Sequence, residues 1–406
     1  MLDDLLVLDL SRVLAGPYCT LLFADLGARV IKVESLDGDD TRRWGPPFVE
    51  GESGYFLSVN RGKESLAVNL KEPRGRAVVR ALARKADVLV ENFKSGDLDR
   101  YGLDYTTLAG ENPGLVYVSI TGFGQTGPRA KEAGYDAAVQ AQSGLMAMTG
   151  EPDGPPLKLG VAWIDVLTGL HAATGALAAL RRRERTGEGA HLDLSLFDVA
   201  LASLVNQAQN ALLTGEAPAR LGSAHPNIVP YQAFDTADGA VVLAVGNDTQ
   251  FARLCGVLGD PDRSRDERFA TNRARVEHRG TLVPWLADQL LAWRRDDLLA
   301  KCREAGVPAT PVATLPEALT DPQSVARRMV VEGPHPAVGP LPMVASPLWH
   351  AVGPDGAPVG LEPDDHASPV PPLLGQHTAA VLQGDLGMNA DEVAALAEAG
   401  VVKLGS

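Results

Sequence analysis

Short apolar runs rich in β-branched residues recur in the first part of the chain, separated by segments with helical periodicity. The runs are almost continuously apolar, as are strands buried on both faces. They span residues 5–10, 29–34, 65–70, 87–93 and 115–123. The helical segments between them span residues 16–28, 73–85 and 104–110. This alternation predicts an α/β fold with a doubly wound parallel sheet.

The pattern becomes mainly helical after residue 134. One strand is predicted at residues 190–196, and a hairpin is predicted at residues 231–247 after a loose linker. Amphipathic helices continue to about residue 312, where a Pro-rich stretch begins that we expect to be irregular. Two further helices are predicted within residues 373–387 and 390–400.

A chain of 406 residues is too long for one ordinary core, so we expect two domains. The patterns predict a large Rossmann-like domain over residues 1–215 and a small α/β domain over residues 225–320. The C-terminal segment, residues 321–406, is expected to return to the large domain.

Charge and cysteine content exclude several classes of protein. The net charge of −14 argues against nucleic-acid binding, which needs a basic surface. The three cysteines lie far apart, which predicts free thiols and a reducing compartment. The acidic N-terminus "MLDDLLVLDL" does not look like a signal peptide, and no apolar run approaches 18 residues. We therefore expect a cytoplasmic protein with no membrane contact.

Three common catalytic motifs are absent from the sequence. The loop after the first predicted strand, "SRVLAGPYCT", has one glycine and lacks the G-x-G-x-x-G pattern of dinucleotide-binding enzymes. The sequence also lacks the G-x-S-x-G elbow of serine hydrolases and the H-E-x-x-H spacing of zinc proteases. We therefore expect no nicotinamide or flavin cofactor and no catalytic metal.

Basic residues follow the ends of several predicted strands. They are Arg12, Arg42, Arg43, Lys71, Lys94 and Arg100. Loops at the carboxyl ends of parallel strands share one edge of the sheet, where ligands bind. Cations gathered there in an acidic protein indicate a phosphorylated ligand. The alternative is that each is an ordinary solvated loop charge.

The stretch "GVAWIDVLTGLHAATGALAAL", residues 160–180, predicts a buried helix that carries Asp165 near its start and His171 in the core. A carboxylate in apolar surroundings is costly and has a raised pKa unless it is paired. Asp165 is therefore either the N-cap of this helix or a nucleophile toward an activated acyl group. Tyr135 and Asp136 lie in a Gly-flanked turn, where Asp136 is either a turn cap or part of the same site.

Several segments together resemble a known family. They are "VLDLSRVLAGPYCTLLFADLGARVIKVES", "GDDTRRWGPP", "NRGKESLAVNLK", "ADVLVENFKSGDLDRYGLDY", "SITGFGQTGP", "GYDAAVQAQSGLM" and the C-terminal "PPLLGQHTAAVL". In this order they resemble the class III CoA-transferase family over nearly the whole chain. The resemblance implies the doubly wound fold and an interlocked homodimer.

The resemblance also implies roles for individual residues. It makes Asp165 the nucleophile, with Tyr135 and Asp136 beside it. It implies contacts with coenzyme A at Arg12, Val13, Leu14, Ala15, Val68, Lys71, Asn92, Phe93, Lys94 and Arg100. Coenzyme A and its thioesters are then substrates, with no permanently bound cofactor and no metal. Leu14 replaces a glutamine of the formyl-CoA transferases, and their run of glycines is missing here, which disfavours formyl-CoA and oxalate as substrates. Ser35 replaces an arginine of those enzymes, so contacts with the adenine end of coenzyme A are expected to differ.

The expected reaction moves CoA from an acyl-CoA to a carboxylic acid through an aspartyl anhydride and an aspartyl-CoA thioester. Succinyl-CoA is the expected donor and a dicarboxylate such as glutarate the expected acceptor. The distal carboxylate needs a cation, for which Arg42, Arg43 and His225 are candidates.

Two other functions remain open from the sequence. The family includes 2-methylacyl-CoA racemases, but Tyr135 stands where their proton-transferring histidine is expected. Tyrosine, with a pKa of about 10, is a poor base at neutral pH. A CoA-binding protein without turnover would retain both Asp165 and the basic loops.

Overall fold

The computed structural model describes residues 1–355, 357 and 368–405. Its strands are β1 (Leu6–Asp9), β2 (Arg29–Glu34), β3 (Phe48–Val49), β4 (Glu52–Ser53), β5 (Lys63–Val68), β6 (Val88–Glu91), β7 (Val116–Thr121), β8 (Ala190–Ser195), β9 (Tyr231–Asp235), β10 (Ala240–Ala244), β11 (Ala309–Pro311), β12 (Val330–His335), β13 (Gly339–Val344) and β14 (Val402–Lys403).

The α-helices alternate with the strands in the first half of the chain and dominate the second half. They are α1 (Ala15–Asp25), α2 (Gly54–Val59), α3 (Pro73–Ala83), α4 (Tyr105–Glu111), α5 (Asp136–Gln142), α6 (Leu145–Met148), α7 (Trp163–Thr186), α8 (Leu196–Ser203), α9 (Val205–Thr214), α10 (Asp248–Val257), α11 (Asn272–Glu277), α12 (Arg279–Leu291), α13 (Arg295–Ala305), α14 (Leu315–Leu319), α15 (Pro322–Ala326), α16 (Thr378–Leu386) and α17 (Ala390–Glu398).

A seven-stranded sheet organises the first part of the fold, in the order β14–β5–β2–β1–β6–β7–β8. All neighbouring strands run parallel except β14, which pairs antiparallel with β5. The predicted parallel sheet is thus confirmed. The strand order reverses at β1, which has β2 on one side and β6 on the other. Loops leaving β1 and β6 diverge there, and such a point opens a crevice at the edge of the sheet.

Helices cover both faces of this sheet. Leu8 and Asp9 are consecutive in β1, so their side chains point to opposite faces. Leu8 joins a buried apolar cluster with Val79 of α3 and Val381 of α16. Asp9 accepts a hydrogen bond from the Thr20 hydroxyl of α1 on the other face. The two-sided cover explains why the strands are almost continuously apolar.

The long helix α7 is buried on one side only. It packs against α1, where a Cβ added to Gly169 would lie 2.7 Å from the Ala15 carbonyl oxygen, and against β7 and β8. Its other side exposes Trp163, Leu170 and His171, so the prediction of a core position for His171 is wrong. The length and apolar composition of α7 also match those of a membrane span, a test that core helices of soluble domains pass as well.

The chain divides into two compact units. The first comprises Met1–Ser143, Leu159–Gln209 and Pro322–Ser406, and the second comprises Gly144–Lys158 and Asn210–Asp321. The second unit holds a three-stranded sheet in the order β11–β10–β9. The antiparallel pairing of β9 with β10 confirms the predicted hairpin. This unit has a core of its own, which includes Phe251, Leu282 and Leu298.

The expectation of irregular structure after residue 312 is wrong for residues 330–344. Strands β12 and β13 form an antiparallel hairpin there, although Pro334, Pro340 and Pro342 interrupt the apolar pattern. A two-stranded ribbon has only edge strands, which tolerate proline because they leave N–H positions unpaired. The three cysteines are free and buried, as predicted.

Candidate active site

Two loops begin where the strand order of the sheet reverses, and one side chain joins them. The first loop, residues 10–14, joins β1 to α1, and the second loop, residues 92–98, follows β6. Asn92 connects them, because its Oδ1 accepts the Arg12 N–H at 2.9 Å and its Nδ2 donates to the Arg12 carbonyl at 2.7 Å. The crevice expected at the carboxyl ends of the strands is therefore bridged by a side-chain amide.

Asp165 faces a cavity of about 290 Å³ that both loops line, which we call the Asp165 cavity. Asp165 is in the first turn of α7 and is half-buried. The structure brings eight other residues singled out in the sequence to this cavity besides Arg12. They are Val13, Leu14, Ala15, Asn92, Phe93, Lys94, Tyr135 and Asp136.

Asp136 caps the N-terminus of α7. Its Oδ2 accepts the N–H groups of Ile164 at 2.8 Å and of Asp165 at 3.2 Å. Its Oδ1 accepts a hydrogen bond from Gln140, whose own Oε1 accepts the Leu159 N–H. The interpretation of Asp165 as N-cap is therefore wrong: the cap position is Ala162, and Asp136 supplies the missing acceptor from another helix.

The environment of Asp165 disfavours its charge. Burial and then the neighbouring charge of Asp136 raise the pKa of Asp165 to about 7. No lysine, arginine or histidine in the described part of the chain forms an ion pair with it. The carboxylate is thus weakly solvated and only half ionised near neutral pH, as expected of a nucleophile or an acid–base group.

Two tyrosines border this carboxylate in different ways. Tyr135 is exposed, lines the Asp165 cavity and precedes α5 as its N-cap residue, without a side-chain cap bond. Tyr55 is half-buried, and burial followed by the charge of Asp165 raises the pKa of Tyr55 to about 12. Sequence reasoning missed Tyr55, because it follows a two-residue strand that has no periodic signal.

A second cavity, of about 490 Å³, opens beside the first and is called here the Lys71 cavity. Its polar lining includes Arg12, Lys71 and Arg100, and its apolar lining includes Val68 and Phe93. Arg12 and Phe93 line both cavities. All ten positions suggested for CoA contact therefore line one cavity or the other. Ser35, which replaces the family's arginine, lines the Lys71 cavity as well.

The three candidate cations for a distal carboxylate have different surroundings. Arg42 is ion-paired with Glu34 at 2.7 Å and Glu52 at 3.4 Å, and its guanidinium lies 3.6 Å from the ring centroid of Phe56. The charge of Arg42 is thus already paired within the protein, which disfavours this residue as the substrate cation.

Arg43 and His225, the other two candidate cations, are not buried. Arg43 is exposed and pairs with Asp40 at 3.0 Å, while His225 belongs to the second unit. Within the described residues, no group of three or more His, Cys, Asp or Glu side chains is arranged to hold a metal.

Comparisons with known proteins identify the family of this chain. The model of CoA-transferase family III matches residues 2–378. The succinate–glutarate CoA-transferase of Agrobacterium fabrum is 47% identical over 388 residues, which are 94% of each chain. The acetyl-CoA:oxalate CoA-transferase of Acetobacter aceti is 45% identical over 332 residues, covering 81% of this chain and 85% of that one.

A solved structure extends the similarity to three dimensions. The crystal structure of a CAIB/BAIF family protein from Brucella suis has 46% sequence identity and a TM-score of 0.81, and the match covers 94% of this chain and 98% of that chain. The sequence match over most of the chain, the parallel sheet and the Asp165 cavity lead to one assignment. This chain belongs to CoA-transferase family III.

Proposed function

We propose that this CoA-transferase moves CoA from succinyl-CoA to a dicarboxylate, with glutarate as the first candidate, and that Asp165 is its nucleophile. The observation that carries the proposal is a poorly solvated carboxylate, without a cationic partner among the described residues, in a cavity lined by both loops. The choice of substrates follows the similarity to the Agrobacterium fabrum relative, which is named a succinate–glutarate CoA-transferase.

Each step of the proposed reaction exchanges one activated acyl group for another. The Asp165 carboxylate attacks the thioester carbonyl of succinyl-CoA, forming a mixed anhydride and releasing CoA thiolate. The thiolate attacks the Asp165 carbonyl of the anhydride, releasing succinate and leaving an aspartyl-CoA thioester. Glutarate then attacks that thioester, giving a glutaryl–aspartyl anhydride and CoA thiolate. Attack of the thiolate on the glutaryl carbonyl forms glutaryl-CoA and regenerates the Asp165 carboxylate.

The position of Asp165 in the structure suits this chemistry. Both covalent intermediates hydrolyse if water reaches them, and Asp165 is half-buried in the first turn of a packed helix. Asp136 fixes that turn by accepting two of its N–H groups. The weak solvation of the Asp165 carboxylate also lowers the cost of bringing it to an acyl carbon.

The two cavities suit the two ends of an acyl-CoA. The Lys71 cavity has cations for phosphate groups and an apolar lining for a base, so the proposal places the nucleotide end there. Lys71 and Arg100 are exposed at its edge, and Arg100 pairs only loosely with Asp97, at 3.5 Å. The shared lining by Arg12 and Phe93 allows the pantetheine arm to pass from this cavity to Asp165.

An exchange assay tests the proposed function. Purified protein is mixed with succinyl-CoA and either glutarate or oxalate, without ATP or added metal, and acyl-CoA products are separated by mass spectrometry. We expect glutaryl-CoA to form with release of an equal amount of succinate. If oxalyl-CoA forms with oxalate and no glutaryl-CoA forms with glutarate, oxalate is the acceptor and glutarate is not. CoA binding without any exchange would support the alternative of a binding protein and contradict the proposal.

We also propose that the protein is a homodimer of the interlocked type. Helix α9 has no buried residue, and its Leu212 and Leu213 are 80% and 76% exposed. Trp163 and Leu170 of α7 are exposed as well. Large apolar side chains that remain open to water on a single chain indicate a protein interface. Light scattering is expected to give twice the chain mass of 42.8 kDa, and a mass of one chain would contradict the proposal.

A further inference from the structure

The first loop contains a backbone conformation that its residue type disfavours. Val13 has φ = +70°, in the left-handed region. A β-branched side chain is crowded there, so this conformation persists only where the surroundings enforce it. Val13 lines the Asp165 cavity, between Arg12 and the start of α1.

Side chains of Asn92 and Asp39 hold the backbone of Arg12 and Val13 by hydrogen bonds. Asn92 accepts the Arg12 N–H and donates to the Arg12 carbonyl, which uses both polar atoms of its side chain. On the other side, the Val13 N–H donates to the Asp39 carboxylate, at 3.2 Å from Oδ2. The disfavoured conformation is therefore held by two side chains that lie far from Val13 in the sequence.

Asp39 is itself fixed in the interior. It is buried, and its Oδ2 lies 3.0 Å from the Nζ of Lys32, which is fully buried in β2. Its Oδ1 accepts the N–H and the hydroxyl of Thr41, at 3.0 and 2.8 Å. Burial alone would raise the pKa of Asp39, but Lys32 and Thr41 together lower it to about 2. Asp39 is therefore a charged acceptor at neutral pH.

Lys32 holds the first loop directly as well. Its Nζ donates to the Ser11 carbonyl at 3.0 Å, so one buried ammonium group contacts both the loop and the acid that clamps it. Asp9 accepts the Ser11 N–H at 2.9 Å, which fixes the beginning of the loop. The polar groups beneath this loop thus hold its backbone at Ser11 and Val13.

We infer that Asp39, together with Lys32, is a positioning residue that holds Val13 in its left-handed conformation and so shapes the first loop for coenzyme A. The inference rests on the proposed function of the two cavities. Asp39 and Lys32 lie in the wall of the Lys71 cavity but are buried, at 1% and 0% exposed, so in this scheme they act through the backbone of the first loop. Its contribution is to fix in advance a loop conformation that the free loop would rarely adopt, so that binding of CoA does not have to order it.

Substitution of Asp39 and Val13, singly and together, tests this role. Asp39→Asn removes the charge that pairs with Lys32 and turns one of the two carboxylate oxygens into an NH2 group, which cannot accept the Val13 N–H. We expect it to weaken CoA binding and to raise the KM for succinyl-CoA, each about tenfold, with a smaller change in kcat. Val13→Gly in the Asp39→Asn background should restore most of this loss, because glycine adopts the left-handed conformation without steric cost.

A matched control separates positioning from stability. Asp25 is another buried acid paired with a buried cation, Arg61, at 2.6 Å, and it lines neither cavity. Asp25→Asn is expected to lower the melting temperature as Asp39→Asn does, yet to leave CoA affinity and KM unchanged. If Asp39→Asn does not fold, Val13→Pro replaces it, because proline lacks the N–H donor and fixes φ near −65°. It should weaken CoA binding to a similar extent.

The outcomes separate this inference from the proposed function. CoA affinity is measured by calorimetry, which does not require turnover, while exchange by the wild type is measured independently. Wild-type CoA binding without exchange would contradict the proposed chemistry and leave the affinity test of Asp39 valid. Unchanged CoA affinity in Asp39→Asn or Val13→Pro would overturn the inference. Failure of Val13→Gly to restore affinity to Asp39→Asn would overturn it as well.

Discussion

The variant Asp165→Asn is expected to lose acyl exchange by at least about a thousandfold in kcat. An amide is nearly the same size as a carboxylate but cannot form the anhydride with which the proposed reaction begins. The first turn of α7 should remain intact, because Asp136 still accepts the N–H groups of Ile164 and residue 165. Exchange is measured by mass spectrometry of acyl-CoA products, and a covalent CoA adduct on the intact protein is sought in parallel.

Asp198 offers a matched control for this substitution. It is an exposed acid in the first turn of α8, as Asp165 is an acid in the first turn of α7. Asp198→Asn should keep full exchange activity and should form the same adduct as the wild type. Exchange by Asp165→Asn at more than about a tenth of the wild-type rate would show that another group attacks the thioester.

The same substitution is expected to stabilise the protein at alkaline pH. The pKa of Asp165 is about 7 in the folded chain and 3.8 in the reference state. Between these values the folded state retains a proton that the unfolded state has lost, so the free energy of unfolding falls as pH rises. Asparagine has no such titration. The advantage of Asp165→Asn over the wild type should therefore grow by about 2 kcal/mol between pH 4 and pH 8, less than full burial would give.

Urea unfolding of both proteins at pH 4, 6 and 8 measures this difference. The stability gap should open across the range between the two pKa values and level off above pH 8. Asp198→Asn, unfolded in the same way, is the control for loss of an acid that lines neither cavity. A gap between wild type and Asp165→Asn that stays constant from pH 4 to pH 8 would mean that Asp165 is solvated in the folded protein.

Much of the sheet is predictable from the sequence because its strands are buried on both faces. The five apolar runs of the first part of the chain correspond to β1, β2, β5, β6 and β7. Each is long enough to give a clear pattern, and the alternation with helices determines parallel pairing. Strands β3 and β4 have two residues each, and β14 also has two. Such elements are defined by their partners and leave no periodic signal.

The residues of the candidate active site divide into predictable and unpredictable ones as well. Asp165 stands out in the sequence because a single acid interrupts a long apolar stretch. The residues that support the site are harder to predict. Asp136 caps helix α7, and Asp39 accepts the Val13 N–H. In both cases a side chain bonds to the backbone of a residue far away in the sequence, and no sequence pattern predicts such a contact. Arg42 shows the opposite error, since a cation beside a strand end is turned inward by Glu34 and Glu52.

The late position of β14 in the sequence leaves one edge of the sheet unpaired while the protein is being synthesised. Val402 pairs with Val68, so the outer neighbour of β5 is a segment that is synthesised much later than β5 itself. While the ribosome is still translating, the edge of the sheet beside the Lys71 cavity has unpaired N–H and C=O groups. Unpaired strand edges invite pairing with other chains. The nascent chain therefore carries an open edge next to the Lys71 cavity from the time β5 is made until β14 follows.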